Sequence, residues 1–463
     1  MVSYFPRYFS SRAIYTYFIT LALVSVLFMN YALPLQFMLF GIIPVLAFFV
    51  FSSRLTLDWQ RLSPQVFKRR IFLTALVIRL VYVVFIYFYY IEMTGEPFAY
   101  HRGDEELYHG VGSEWKLNGF DAFQEDLKYV GFSDSGYCWW VGIVYSVFGV
   151  NVLPLHVLKA FIDALSCVLF YNLAKRNFGE SAGRMAAVFY VLMPNMWYYC
   201  GVTLKETEMT FMVLLFTERS DQWFRSSKIK LEGAILPVVC ILLMFAFRTA
   251  LAAVMVAAFV AGLILTNSKQ LQIWKKVLYS LVFAVWMAAT VGTEMIQETQ
   301  ELWSAKGMNQ TTGYEWRSET NSFAKYASAA VFAPIIFTLP FSSMVATPDQ
   351  ENQMMMNGAN FIKNIMSGFT IFAVISMIFS GEWRRHVFPL ALTAGYLLVL
   401  TFSNFAHSER FHFPVLALEL MFAAYGVSLM RNKHKRWFVE WIVVIGIANI
   451  VWSWIKLSGR GML

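Results

Sequence analysis

Apolar runs of about twenty residues recur along most of this chain, and that repetition constrains the fold before any motif is read. A helix rising 1.5 Å per residue needs about 20 apolar residues to cross the ~30 Å hydrocarbon core of a bilayer. Backbone polar groups must be satisfied internally in lipid, which leaves helices or closed barrels. The runs show no strand alternation, so helices are expected. Only 14% of the residues are charged and 58% are hydrophobic, whereas a soluble domain carries roughly 25% charge. The chain therefore reads as an all-α, polytopic membrane protein with a single integral membrane domain over residues 1–463. The predicted spans are 13–30, 32–52, 71–92, 153–174, 181–200, 204–218, 232–248, 249–266, 276–294, 361–380, 387–404, 412–430 and 438–456, about 13 transmembrane helices. The apolar run after Arg12 is followed directly by a second, so a cleavable signal peptide is not expected.

Charge supplies the orientation. Basic residues gather at alternate connections: Arg54 to Arg70, Lys175-Arg176, Arg219 to Lys230, Lys269 to Lys276, Arg384-Arg385 and Arg431 to Arg436. With Arg7, Arg12 and Arg184 these hold 23 of the 37 Lys and Arg, so these loops are expected in the cytoplasm. Twenty of the 29 Asp and Glu fall in the opposite connections, ten of them in 92–137 and seven in 294–351. The formal charge of +8 thus reflects topology and gives no reason to expect nucleic acid. The four cysteines (Cys138, Cys167, Cys200, Cys240) are scattered and suggest neither a disulfide framework nor a zinc site.

Parity of the spans marks two exceptions. Residues 138–150 rise only ~20 Å as a helix, too short to cross, and are read as a juxtamembrane or half-inserted helix on the outer face. Residues 327–347 contain Pro334 and Pro340 and are read as re-entrant or interfacial, because Arg384-Arg385 must end inside. Irregular backbone at membrane depth is tolerated only when buried in protein or lining a cavity. Both segments therefore point to an outer-facing cavity.

The segment His101-Arg-Gly-Asp-Glu-Glu-Leu-Tyr-His109 lies in the first acidic loop and places Asp104, Glu105 and Glu106 side by side at the membrane surface. Carboxylates in such a position can act as a general base or hold a cation; a solvated loop is the alternative. Lys205, Arg248 and Arg410 are isolated cations at outer helix ends, against the general charge trend. One such cation is commonly a snorkelling anchor; three at one face suggest an anion site, in which Arg binds bidentately and Lys as a point charge. Arg79 and Asp163 sit inside spans, ~12 and ~16 Å deep at 1.5 Å per residue, and are expected to pair, because unpaired charge there is costly.

The order of motifs resembles a known family. An acidic first loop is followed by Ser135-Gly136-Tyr137 opening a short helix that ends Phe148-Gly149. A span then ends Leu173-Ala174-Lys175-Arg176-Asn177-Phe178-Gly179, and the next carries Met193-Pro194-Asn195 near its outer end. Ser408-Glu409-Arg410-Phe411-His412-Phe413-Pro414 precedes a late span. This pattern resembles the GT-C glycosyltransferases, in particular bacterial members similar to protein O-mannosyltransferases and the lipid A aminoarabinose transferase. The resemblance covers roughly 71–430, with two extra N-terminal spans in 1–70 and a C-terminal span in 431–463.

The resemblance implies a GT-C-like fold in the bacterial cytoplasmic membrane, with the N-terminus in the cytoplasm and the active site in the periplasm. It implies transfer of a sugar, with inversion, from a polyprenyl-phosphate carrier to a lipid, glycan or protein acceptor. Asp104 matches the family's first-loop acid, with Glu105 as the rival for the base. Lys205, Arg248 and Arg410 are candidates for the carrier phosphate, and Glu206, Tyr108, His407 and His412 for supporting roles. A divalent cation such as Mg or Mn remains an alternative to direct base catalysis, but no closed metal site is read from the histidine spacing. A polymerase or ligase using a diphosphate-linked glycan and a lipid-linked sugar flippase are the alternative functions. A flippase should place ionisable residues along a path at the midplane, whereas here, apart from Arg79, Asp163, Lys159 and Glu419, they cluster outside.

Overall fold

The computed structural model describes residues 2–226, 232–265, 285, 335–402 and 408–463. Among the described residues the regular structure is helical, apart from one isolated bridge between Ala32 and Val345. Among the described residues, seven helices are long and apolar enough to cross a membrane. These are α1 (Arg7–Leu27), α2 (Leu35–Asp58), α3 (Pro64–Thr94), α7 (Val152–Leu192), α13 (Asn357–Ser380), α15 (Glu409–Leu429) and α16 (Lys435–Ser458). Between α3 and α7 lie three short helices, α4 (Asp104–Leu117), α5 (Phe120–Leu127) and α6 (Phe132–Phe148).

Eight predicted spans fall on these seven long helices, because α7 carries two, the second continuing into the short α8 (Pro194–Tyr198). At Gly179 the backbone turns to φ 85, a region that glycine enters without strain. The second arm folds back so closely that a Cβ on Gly183 would lie 2.8 Å from the Lys175 backbone. Tyr190 of the second arm donates 2.5 Å to Asp163 of the first. The expected pair of Arg79 and Asp163 forms here, with both side chains buried. Arg79 also donates to the carbonyls of Ala75, Val191 and Tyr190, so the guanidinium is satisfied across three helical segments.

The remaining predicted spans differ in kind. Those at 232–248, 249–266 and 387–404 correspond to shorter apolar helices, α10 (Glu232–Phe245), α11 (Thr249–Leu265) and α14 (Val387–Phe402). The span at 204–218 corresponds to α9 (Glu206–Phe224), which carries five charged residues and is not among the helices apolar enough to cross. Its Glu206, Glu208, Glu218 and Asp221 are nevertheless buried, enclosed by protein. The span at 276–294 lies outside the described residues except for Val285.

The segment at 138–150 is a helix, α6, although it begins six residues earlier than read, at Phe132. The described part of the irregular segment, 335–347, is buried and its backbone is met by side chains of neighbouring helices. Asn364 donates to Thr338 O (2.6 Å) and Pro340 O (2.8 Å). The Ser342 amide donates to Asn364 and Asn449, and the Met344 amide to Ser453. Polar residues on the inner faces of α13 and α16 thus replace the hydrogen bonds that a helix would have made within itself.

The connections separate into two ends. Arg225 donates to Asn177 and to Arg385 O, which joins three basic connections. Arg410 contacts Asp104 and Glu206, which joins three acidic ones. The alternation of charge read from the sequence is therefore also a spatial separation.

Candidate functional site

The acidic end is built from the loop before α4 outward. Gly95 closes α3 with φ 79, and α4 begins after Gly103 with three acids in its first turn. Carboxylates at a helix N-terminus face the unpaired amides and the positive end of the helix dipole. Successive residues turn by about 100° (3.6 per turn), so the three acids point in different directions. Asp104 pairs with Arg410, Glu105 is buried and Glu106 is exposed.

Glu105 turns into protein. One carboxylate oxygen accepts from the Ala99 amide (3.3 Å) and the other from the Thr203 amide (2.7 Å). It therefore ties the loop before α4 to the loop before α9. That second loop is also held by Lys159, whose ammonium donates to Val202 O (2.6 Å) and to Leu204 O. His156 meets the Thr203 hydroxyl at 3.1 Å. Two buried side chains of α7 thus set the positions of Lys205 and Glu206.

Lys205 uses its ammonium within the protein. It donates to Asp134 (2.5 Å), Ser133 O (2.7 Å) and Phe247 O (2.5 Å), and only 4% of the residue is exposed. Its three donors are matched by three protein oxygens. Tyr108 donates to the same Asp134 oxygen at 2.5 Å. Burial pushes the Asp134 carboxyl up, but the Lys205 ammonium and the Tyr108 hydroxyl outweigh it and hold the group below its usual range.

Glu206 opens α9, is fully buried, and is the hub of the site. One of its oxygens meets Arg410 Nε at 2.5 Å and Arg248 Nη2 at 3.4 Å. Arg248 also donates to the Tyr396 hydroxyl (3.4 Å) and lies 4.4 Å from the centroid of the Phe411 ring. The result is an alternating row, Asp104, Arg410, Glu206, Arg248. Its inner part is closed, and its outer end is open: the Asp104 side chain is 50% exposed and that of Arg410 20%.

The structure therefore brings Asp104, Arg410, Glu206 and Arg248 together, with Lys205 and Glu105 beside them as ties within the frame. His412 is buried on α15, and His407 lies outside the described residues. His109 meets the Tyr145 hydroxyl at 2.9 Å, and His101 meets Glu351 at 2.6 Å. Among the described residues no group of three or more His, Cys, Asp or Glu has the arrangement of a metal site. Sequence reasoning passed over Asp134 and gave Lys159 no role in the site. Asp134 stands beside the Ser135-Gly136-Tyr137 motif, and Lys159 was visible as a cation inside a span. No family model matches this chain, and neither does any curated protein.

The Glu105 tie has a pH signature. Burial pushes its carboxyl up to about 7, against the opposing pull of the Thr203 and Ala99 amides and the Lys159 and Arg410 charges. An acid whose folded pKa is raised binds more protons in the folded than in the unfolded state between about 4.5 and 7. Its contribution to stability therefore falls as pH rises through that window and is constant above it. Thermal unfolding of the detergent-solubilised protein between pH 5 and 8 should show this decline, and Glu105→Gln should flatten it. An unchanged slope in the variant would remove Glu105 from that role.

Proposed function

We propose that this protein transfers a sugar from a polyprenyl-phosphate carrier to an acceptor at the membrane surface, with Asp104 as the general base. The observation that carries this reading is the position of Arg410 between the exposed Asp104 and the buried Glu206. Glycosyl transfer from a lipid phosphate needs a carboxylate for the acceptor proton and a cation for the departing phosphate. Arg410 offers a guanidinium at the open end of the row, and its present partner there is the proposed base. An arriving phosphate competes with Asp104 for that guanidinium, since both are oxyanions that a planar fork can bind. Displaced from Arg410, Asp104 is free to take a proton. Arg248 strengthens the positive field behind the phosphate, and Lys205 acts through Asp134 and the loop it braces. Asp104 would be the residue to hold a divalent cation such as Mg or Mn, which would supply positive charge for the departing phosphate; chelation of the purified enzyme tests that variant.

The acidic end should lie on the periplasmic side of a bacterial cytoplasmic membrane, following the distribution of Lys and Arg. The four native cysteines are buried, so single introduced cysteines report cleanly. An impermeant thiol reagent applied to intact cells should label Asn118→Cys and spare Lys433→Cys. The reverse pattern would overturn the topology and the mechanism with it. The direct test of function is sugar transfer by the purified protein from a synthetic carrier.

The transport alternative draws support from Lys363 and Glu419, both buried within long helices, at 2% and 3% exposure. Ionisable groups at such depth are costly and often mark a path. Movement of intact lipid-linked sugar across a vesicle, without glycosyl transfer, would favour that reading.

A further inference from the structure

Between the irregular segment at 340–343 and helices α13, α15 and α16 lies a small polar pocket bounded by Ser343, Asn360, Trp452, Gln353, Glu409 and Lys456. Three side-chain atoms around it are buried without a hydrogen-bond partner: Ser343 Oγ, Asn360 Oδ1 and Trp452 Nε1. Ser343 and Asn360 are each only 4% exposed. Buried polar groups are satisfied in the great majority of cases, and each exception calls for a cause. Three around one pocket suggest that something else completes them.

The donors and acceptors define what fits. Trp452 Nε1 can only donate, Asn360 Oδ1 can only accept, and the Ser343 hydroxyl can do either. A metal cation would leave the indole N–H unsatisfied, and an anion would face Asn360 Oδ1 and the Glu409 carboxylate. A hydroxyl group both donates and accepts and so serves all three. The enclosed space is about 10 Å³, which admits roughly one group of that size. Lys456 is anchored at the rim by Gln350 (3.1 Å) and Gln353 (2.5 Å).

The pocket is also coupled to the candidate site. Glu409 immediately precedes Arg410 at the start of α15. Gln353 belongs to α12 (Glu351–Met355), which is tied to the loop carrying Asp104 through Asn352 to Tyr100 O (2.5 Å) and Glu351 to His101 (2.6 Å). A lining residue of the pocket and the proposed phosphate-binding arginine are thus neighbours in the chain, which places the pocket beside the candidate site.

We propose that this pocket receives a hydroxyl group of the carrier-linked sugar and so selects the donor by its sugar. This rests on the glycosyl-transfer reading above. The test measures binding of two synthetic probes to the full-length protein in nanodiscs: a polyprenyl-phosphate hexose and the same polyprenyl phosphate without sugar. Trp452→Phe and Ser343→Ala each remove one polar contact with little change in shape. Each should weaken hexose-carrier binding by about 2–10-fold, the worth of one net hydrogen bond. Binding of the sugarless carrier should not change, which also shows that the variants are folded. Equal weakening for both probes, or no weakening for either, overturns the proposal, as a pocket that houses only water would. Wild-type protein that binds both carriers equally overturns it and leaves the glycosyl-transfer reading standing. Wild-type protein that binds neither defeats both.

Discussion

Asp104→Asn should lower sugar transfer by about 10²–10⁴-fold, the usual contribution of a general base. The substitution keeps the volume of the side chain and an oxygen for Arg410 but removes the proton acceptor. The protein should still fold, because Asp104 is half exposed and its ion pair with Arg410 lies at the open end of the row. Glu105→Gln supplies the contrast. Glu105 is buried and both of its oxygens accept backbone amides, so its loss should appear first in stability and in the pH profile described above. Purified variants assayed for transfer, with carrier binding measured separately, decide between the neighbours. If Glu105→Gln abolishes transfer at unchanged stability while Asp104→Asn is fully active, the base is one residue further along. If both remain active, the acidic turn is a solvated helix start and the enzyme reading loses its main support.

The sequence made the class of fold legible because spanning a bilayer demands long apolar runs, and such runs survive any detail of packing. The buried pair of Arg79 and Asp163 was legible for a related reason, since two opposite charges at depth in apolar segments have few alternatives to pairing. The hairpin at Gly179 was visible as two spans around Lys175-Arg176, although the chain makes it within one long helical element. The count of crossings was less legible. Hydropathy treats 204–218 as a span, but α9 carries several acids that neighbouring protein encloses. Among the site residues, the sequence showed which cations stood against the charge trend but not where their donors point. Lys205 looked as available as Arg410 until its three donors proved to be directed at Asp134, Ser133 and Phe247. Such partners come from segments more than forty residues away and leave no local pattern.

Arg410→Gln should cost about 10²–10³-fold in kcat/KM, the usual loss when a donor to developing charge is removed, more than the roughly 10–100-fold expected of Arg248→Ala. The difference follows from their places in the row. Arg248 meets Glu206 at 3.4 Å and is also held by Tyr396 and Phe411, whereas Arg410 meets Glu206 at 2.5 Å and Asp104 as well. Removing Arg410 therefore takes away the cation nearest the open end and leaves the fully buried Glu206 with its weaker partner. A buried charge left with only its weaker partner is destabilising, so a structural and a chemical loss must be separated. The double variant Arg410→Gln/Glu206→Gln removes the carboxylate that lost Arg410, though it also takes from Arg248 its ion-pair partner, and should recover part of the thermal stability. It should not recover transfer if Arg410 binds the carrier phosphate, and the carrier KM should stay raised, because that contact forms on binding and strengthens as charge develops on the leaving group. Arg410→Lys keeps the charge but cannot span Asp104 and Glu206 with a planar fork, so it should restore binding only in part. Recovery of full transfer in the double variant would assign Arg410 to the frame alone and leave the phosphate to another group.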